Sequence, residues 1–135
     1  MTEGEWDALG KYLRACADDM GLRDWTLVLK KEPLDDSEGA WAYCEPLDGE
    51  KHATIRVCKE FRTEPADIQR MAVVHELIHC HMASIQFFAR NDLSEALGTA
   101  GSLLKKSVER DIEYAVDGIA VAWAEKFPHI EWPTE

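Results

Sequence analysis

Near the middle of the 135-residue chain, residues 73–80 read Val-Val-His-Glu-Leu-Ile-His-Cys. Apolar residues surround this run on most sides from Ile68 to Met82, so the pattern predicts a central helix that opens at Glu64-Pro65. Helical positions four apart differ by about 40° and lie about 6 Å apart along the axis. His75 and His79 therefore face the same side, where both imidazoles can bind one metal ion.

The glutamate between the histidines supplies the second half of the pattern. Glu76 lies about 100° around the helix from His75, beside a shared ion rather than on it. From that position it can hold and deprotonate a metal-bound water. Zinc suits the pair because it accepts imidazole nitrogen and lowers the pKa of its water to about 7. The sequence thus predicts a Zn²⁺ site with Glu76 as general base.

A catalytic zinc takes a third protein ligand and keeps one open position. His81 lies about 200° from His79 on the same helix, so it cannot join the pair. The better candidates are acids of the last helix. We expect Glu113 as the third ligand, with Glu109 as the alternative. Asp117, one turn after Glu113, suits an outer role, in which it accepts the free N–H of a ligating histidine.

The rest of the pattern predicts an α+β fold. Thr2 and Glu5 form a capping-box sequence ahead of a helix over residues 3–20. An acidic loop is expected at residues 33–39. Asp48-Gly49 predicts a two-residue hairpin turn that pairs Cys44 with Ala53. The expected core consists of an N-terminal helix, a small, mostly antiparallel sheet of three strands at residues 25–30, 40–46 and 51–58, the central helix that carries the two histidines, and a long C-terminal helix over residues 102–126.

The C-terminal helix carries an apolar stripe at helical spacing, which we expect to face the core. The stripe consists of Leu104, Val108, Ile112, Ala115, Ile119 and Trp123.

Composition excludes several classes of partner. The chain has 26 acidic and 15 basic side chains, a formal net charge of -11. This balance argues against binding to nucleic acid or to anionic membranes, which needs clustered cations. No apolar run approaches 18 residues, and the N-terminus lacks a basic and an apolar signal region, so we expect a cytoplasmic protein with reduced cysteines. The length predicts a single domain over residues 1–135.

The chain resembles the zincin metallopeptidases, in their glutamate-ligand branch. Those enzymes place His-Glu-x-x-His on an active-site helix and supply a glutamate, with an aspartate four residues on, from a later helix. The residues here that match this layout are His75, Glu76, His79, Glu113 and Asp117. The chain is also similar to short metallopeptidase-like proteins encoded by phages and prophages. The resemblance implies a minimal zincin-like core, in which the central helix is the active-site helix, and zinc-dependent hydrolysis of a peptide or protein substrate.

Two alternatives stay open at this point. One keeps the zinc but changes the substrate, for example to peptidoglycan cross-bridges. The other is a non-catalytic, zinc-stabilised regulatory or adaptor module. The coordination of the metal separates the non-catalytic module from both enzymes, because three protein ligands and a water favour catalysis, whereas four protein ligands favour a structural role.

Overall fold

The computed structural model describes residues 1–35 and 39–134. Residues 36–38, in the middle of the predicted acidic loop, lie outside the described residues. The elements, in chain order, are α1 (Glu3–Asp19), β1 (Thr26–Leu29), β2 (Ala42–Pro46), β3 (His52–Val57), α2 (Ala66–His81), α3 (Ala83–Phe87), α4 (Leu93–Leu97) and α5 (Thr99–Ala124). A 3₁₀ turn at Phe61–Thr63 precedes α2, and a π-helical turn at Phe88–Asp92 joins α3 to α4. The predicted α+β class is confirmed, with its N-terminal helix, three strands and long C-terminal helix.

The capping box at the start of α1 is present as predicted. The Thr2 hydroxyl accepts from the Glu5 N–H at 3.2 Å, and the Glu5 carboxylate accepts from the Thr2 N–H at 2.7 Å. These bonds satisfy two amides that have no partner inside the helix. Gly21, at φ 79°, follows the last turn and lets the chain leave the helix.

The sheet has the strand order β1-β3-β2. β2 runs antiparallel to β3, but β1 runs parallel to it, so the sheet is mixed rather than mostly antiparallel. The parallel pair forms because the segment after β1 is long enough to carry the chain to the far edge before β2 begins. This order leaves β2 as an edge strand, and α2 packs against it.

The hairpin between β2 and β3 differs from the prediction. Cys44 pairs with Ile55 rather than with Ala53. A two-residue turn of type I′ needs positive φ at both central residues, but only Gly49 has it here, at 74°. The loop is longer as a result, and Leu47 donates its N–H to the His52 carbonyl at 2.9 Å. A shift of two residues keeps Cys44 on the buried face of the sheet.

The core lies between α1, the sheet, α2 and α5. α2 is its centre, because its apolar residues are buried on several sides of the helix, as the sequence predicted. Val74 and Leu77 of α2 are fully buried, together with Ile55 of β3 and Val116 of α5. No helix among the described residues is both long and apolar enough to cross a membrane.

The predicted apolar stripe of α5 is wrong over most of its length. Leu104, Ile119 and Trp123 are 48%, 38% and 43% exposed. The helix instead packs on α2 through a row of residues four apart, a common ridge for helix packing. This row consists of Ile112, Val116, Ala120 and Ala124. The rotation brings the neighbouring flank, which carries the predicted ligands, over α2.

Candidate metal centre

His75 and His79 lie one turn apart on α2 and face the same point. Their ring centroids are 5.0 Å apart, and their Nε2 atoms approach to 3.2 Å. His79 is buried, and the His75 side chain is 21% exposed. The two imidazoles thus face the same side of α2, as helical geometry predicted, and the His75 ring is partly open to solvent.

Glu113 of α5 completes the arrangement. Its Oε1 lies 3.0 Å from His79 Nε2, and its Oε2 lies 3.5 Å from His75 Nε2. Ile112 and Val116 hold this part of α5 in the core and so fix the helix above α2. Glu109, the alternative third ligand, lies beside Arg90 at 3.7 Å. Of the two candidate acids, the structure brings Glu113 to the histidines.

The spacing of these atoms matches a tetrahedral metal site. Zinc binds nitrogen and oxygen at about 2.1 Å, which places tetrahedral ligand atoms about 3.4 Å apart. Here His79 Nε2 lies 3.2 Å from His75 Nε2 and 3.0 Å from Glu113 Oε1, and His75 Nε2 lies 3.5 Å from the second carboxylate oxygen, Glu113 Oε2. Two groups among the described residues have ligand atoms close enough together to hold one ion: His75, Glu76 and His79, and His75, Glu113 and Asp117. The residues therefore fit a metal ion of zinc's size.

The outer nitrogen of each ring has its own acceptor. His75 Nδ1 lies 3.1 Å from Asp117 Oδ1, and His79 Nδ1 lies 3.3 Å from Gln86 Oε1. A neutral imidazole that donates from Nδ1 presents a lone pair at Nε2. When both rings carry the proton on Nδ1, two lone pairs and a carboxylate face one another with no proton donor among them. Such a group of acceptors favours binding of a cation.

Glu76 is buried beside the pair. The Cys44 N–H donates to its Oε2 at 2.8 Å, and its Oε1 lies 3.9 Å from His75 Nε2. Burial raises the pKa of Glu76 to about 8; the hydrogen bond from Cys44 opposes this shift, and the nearby charge of Glu113 adds to it. Burial also lowers the pKa of His79, which favours the neutral ring that a metal needs.

A cleft of about 520 Å³ opens over this group between β2 and the helices. Its lining includes His75, Glu76, His79, Glu113, Gln86, Arg90, Phe87 and the backbone of β2 from Ala42 to Pro46. A smaller cavity of about 420 Å³ lies on the other side of His75, next to Trp41 and Asp117. The candidate metal centre is therefore open to molecules from outside.

The remaining histidines lie away from the centre. His81 is hydrogen-bonded through Nε2 to the Met20 carbonyl at 2.7 Å, in agreement with its predicted angle on α2. His129 contacts Asp67 at 2.7 Å. Tyr114, which follows Glu113, is 68% exposed and is not among the described residues that line the cleft. These three side chains thus take no part in the candidate metal centre.

Comparison of the chain with models of protein families, with curated proteins and with solved structures finds no match. The function of this protein is therefore inferred from the residues of the site.

Proposed function

We propose that this protein is a small zinc-dependent metallopeptidase. The observation that carries the proposal is the convergence of two imidazole nitrogens and the Glu113 carboxylate at 3.0 to 3.5 Å, beside the buried Glu76. The arrangement agrees with the resemblance of the motif to the glutamate-ligand zincins. Its position in an open cleft supports access by a substrate.

His75, His79 and Glu113 would hold the ion. Zinc bound there would supply a water with a pKa of about 7 and would polarise the scissile carbonyl. Asp117 and Gln86 keep the two rings oriented through their outer nitrogens. Three protein donors leave a position open, which is the pattern of catalytic zinc rather than of structural zinc.

Glu76 is the proposed general base. Its Oε2 is fixed by the Cys44 N–H, so its Oε1 is the atom free to face the cleft, 3.9 Å from His75 Nε2. There the carboxylate can accept a proton from the attacking water and deliver it to the nitrogen of the leaving amine. Both transfers use one side chain that does not have to move.

Strand β2 offers a surface for an extended peptide. Trp41 and Leu47 flank the strand, and both bond inward: the Trp41 carbonyl accepts from the Cys58 N–H, and the Leu47 N–H donates to the His52 carbonyl. Backbone groups alternate along an antiparallel strand, so those of Ala42, Cys44 and Pro46 face outward. The Cys44 N–H is used by Glu76, and proline has none. We therefore expect the substrate backbone to bond mainly to Ala42 and to the outward carbonyls.

The proposal is tested by metal content and hydrolysis together. We expect stoichiometric zinc in the wild type by elemental analysis, little zinc in His79→Ala and Glu113→Ala, and unchanged zinc in the control Glu109→Ala. Glu76→Gln should keep its zinc but lose cleavage of a fluorogenic peptide library by at least about 100-fold, the size of a general-base contribution.

Three results would count against the proposal. A wild type without zinc, when purified with zinc present, would remove its basis. A wild type that holds stoichiometric zinc but cleaves no member of the library would instead support the non-catalytic regulatory or adaptor module. Equal loss of zinc in Glu109→Ala and Glu113→Ala would show that the geometry of α5 has been misassigned.

A further inference from the structure

Gln86 contacts the outer nitrogen of His79, and the sequence pattern did not single it out. The side chain extends from α3, the short helix after α2, and its Oε1 lies 3.3 Å from His79 Nδ1. The turn between the helices fixes its backbone: the Met82 N–H donates to the His79 carbonyl at 3.1 Å, and the Gln86 N–H donates to the Met82 carbonyl at 3.0 Å.

The direction of this hydrogen bond decides what His79 can do. An amide oxygen only accepts, so the hydrogen bond to Gln86 Oε1 forms when His79 Nδ1 carries the proton, and His79 Nε2 then has a free lone pair. That Nε2 is the atom that faces His75 Nε2 at 3.2 Å and Glu113 Oε1 at 3.0 Å. If Nε2 carried the proton instead, the ring could not bind a metal.

The two histidines therefore have acceptors of different charge. Asp117 offers a carboxylate to His75 Nδ1 at 3.1 Å, whereas Gln86 offers a neutral amide to His79 Nδ1. Asp117 is well exposed, with 61% of its side chain open to solvent, but the His79 side chain is only 8% exposed. Glu113 and His75 lie at Nε2 of His79, whereas the amide oxygen of Gln86 is the acceptor that lies at Nδ1, so Gln86 favours the tautomer with the proton on Nδ1.

We infer that Gln86 is a positioning residue for the metal centre: its side-chain oxygen holds His79 in the tautomer whose Nε2 can bind the ion. This inference rests on the proposed metal site, but not on peptide hydrolysis. It predicts that any acceptor of similar reach will serve at position 86, and that a side chain of the same length without an acceptor will not.

The experiment compares Gln86→Met, Gln86→Glu and the control Ile85→Ala, an exposed neighbour on α3. Zinc affinity is measured by competition with a chromophoric chelator. We expect Gln86→Met to bind zinc about 10- to 100-fold more weakly, the usual effect of removing an outer partner of a ligand. Gln86→Glu and Ile85→Ala should stay within about threefold of the wild type, since each keeps an acceptor at position 86.

A second measurement follows the ring itself in the metal-free protein. Two-bond ¹⁵N–¹H correlation spectra distinguish the two imidazole tautomers. The Glu113 carboxylate, 3.0 Å from His79 Nε2, would accept from an Nε2–H, so the spectra are recorded in Glu113→Ala. We expect His79 to carry its proton on Nδ1 in Glu113→Ala and to lose that preference when Gln86→Met is added. Unchanged zinc affinity in Gln86→Met, or equal weakening in Gln86→Glu, would overturn the inference, as would an Nε2–H tautomer of His79 in Glu113→Ala. If the wild type binds no zinc, the proposed function fails, and the tautomer of His79 still decides the role of Gln86.

Discussion

At the scale of single residues, Asp117 and Glu113 contact opposite nitrogens of the same ring. Asp117 faces His75 Nδ1 at 3.1 Å, and Glu113 faces Nε2 at 3.5 Å. A neutral imidazole donates from one nitrogen and accepts at the other. In the proposed site, Asp117 orients the His75 ring by accepting from Nδ1, whereas Glu113 binds the same metal ion as His75 Nε2. Two carboxylates one turn apart on α5 thus have different expected effects when they are removed.

This difference is testable at Asp117. We expect Asp117→Ala to weaken zinc binding about 10- to 100-fold, and Asp117→Asn to retain most of the affinity because its amide oxygen can still accept from Nδ1. Chelator competition gives both values. Asp111→Ala is the control, since Asp111 is exposed on the same helix and pairs with Arg110. Complete loss of zinc in Asp117→Ala would make Asp117 a ligand, and unchanged affinity would give it no part in the site.

The sequence predicts the residues that share a helix better than those that do not. His75 and His79 meet because both lie on α2, and Glu113 was chosen over Glu109 by position along one helix. Gln86 lies beyond the end of α2 at His81, and periodicity does not show in which direction a chain continues after a helix ends. No signal in one sequence marks it as a partner of His79.

At the scale of elements, α5 contains two glycines in opposite surroundings. A Cβ at Gly101 would overlap the carbonyl of Leu93, where α4 crosses the start of α5. A Cβ at Gly118 would have no neighbour within 4 Å. Gly101 therefore permits the close packing of two helices, whereas Gly118, beside Asp117, only adds freedom to the unfolded chain.

Alanine substitutions at Gly101 and Gly118 should change the free energy of unfolding in opposite directions. Gly118→Ala should raise the free energy of unfolding by about 1 kcal/mol, the difference between these residues inside a helix. Gly101→Ala should lower it, because α4 has to move away from α5 to make room. Denaturant unfolding measures both, and zinc affinity should not change in Gly118→Ala. A destabilised Gly118→Ala would contradict the open space seen beside that residue.

Elements were easier to predict than the way they pair. α1, α2 and the strands lie within a few residues of their expected bounds, because capping, helical periodicity and β-forming residues are local signals. The register of β2 depended on whether Asp48 would adopt positive φ, and the buried side of α5 depended on which ridge met α2. Both are decided by contacts between distant segments.

At the scale of the whole molecule, the C-terminal tail joins α1 to α2. The segment is irregular, but Phe127 and Ile130 are buried in the core. The Tyr12 hydroxyl donates to the Pro128 carbonyl at 2.6 Å, and Trp132 donates to the Gln69 side chain at 3.1 Å. These contacts stabilise one side of α2. On its other side, α2 meets α5, where the proposed ligands lie.

A metal ion would add a link between α2 and α5, since His75 and His79 lie on one helix and Glu113 on the other. An ion that binds only the folded chain stabilises it by about 2.7 kcal/mol at 100 times its dissociation constant. We expect EDTA to lower the Tm of the zinc-loaded wild type and of Glu109→Ala alike. Glu113→Ala should show little response, because it is expected to bind little zinc. A wild type whose Tm is the same in zinc and in EDTA would mean that the two helices are held by packing alone.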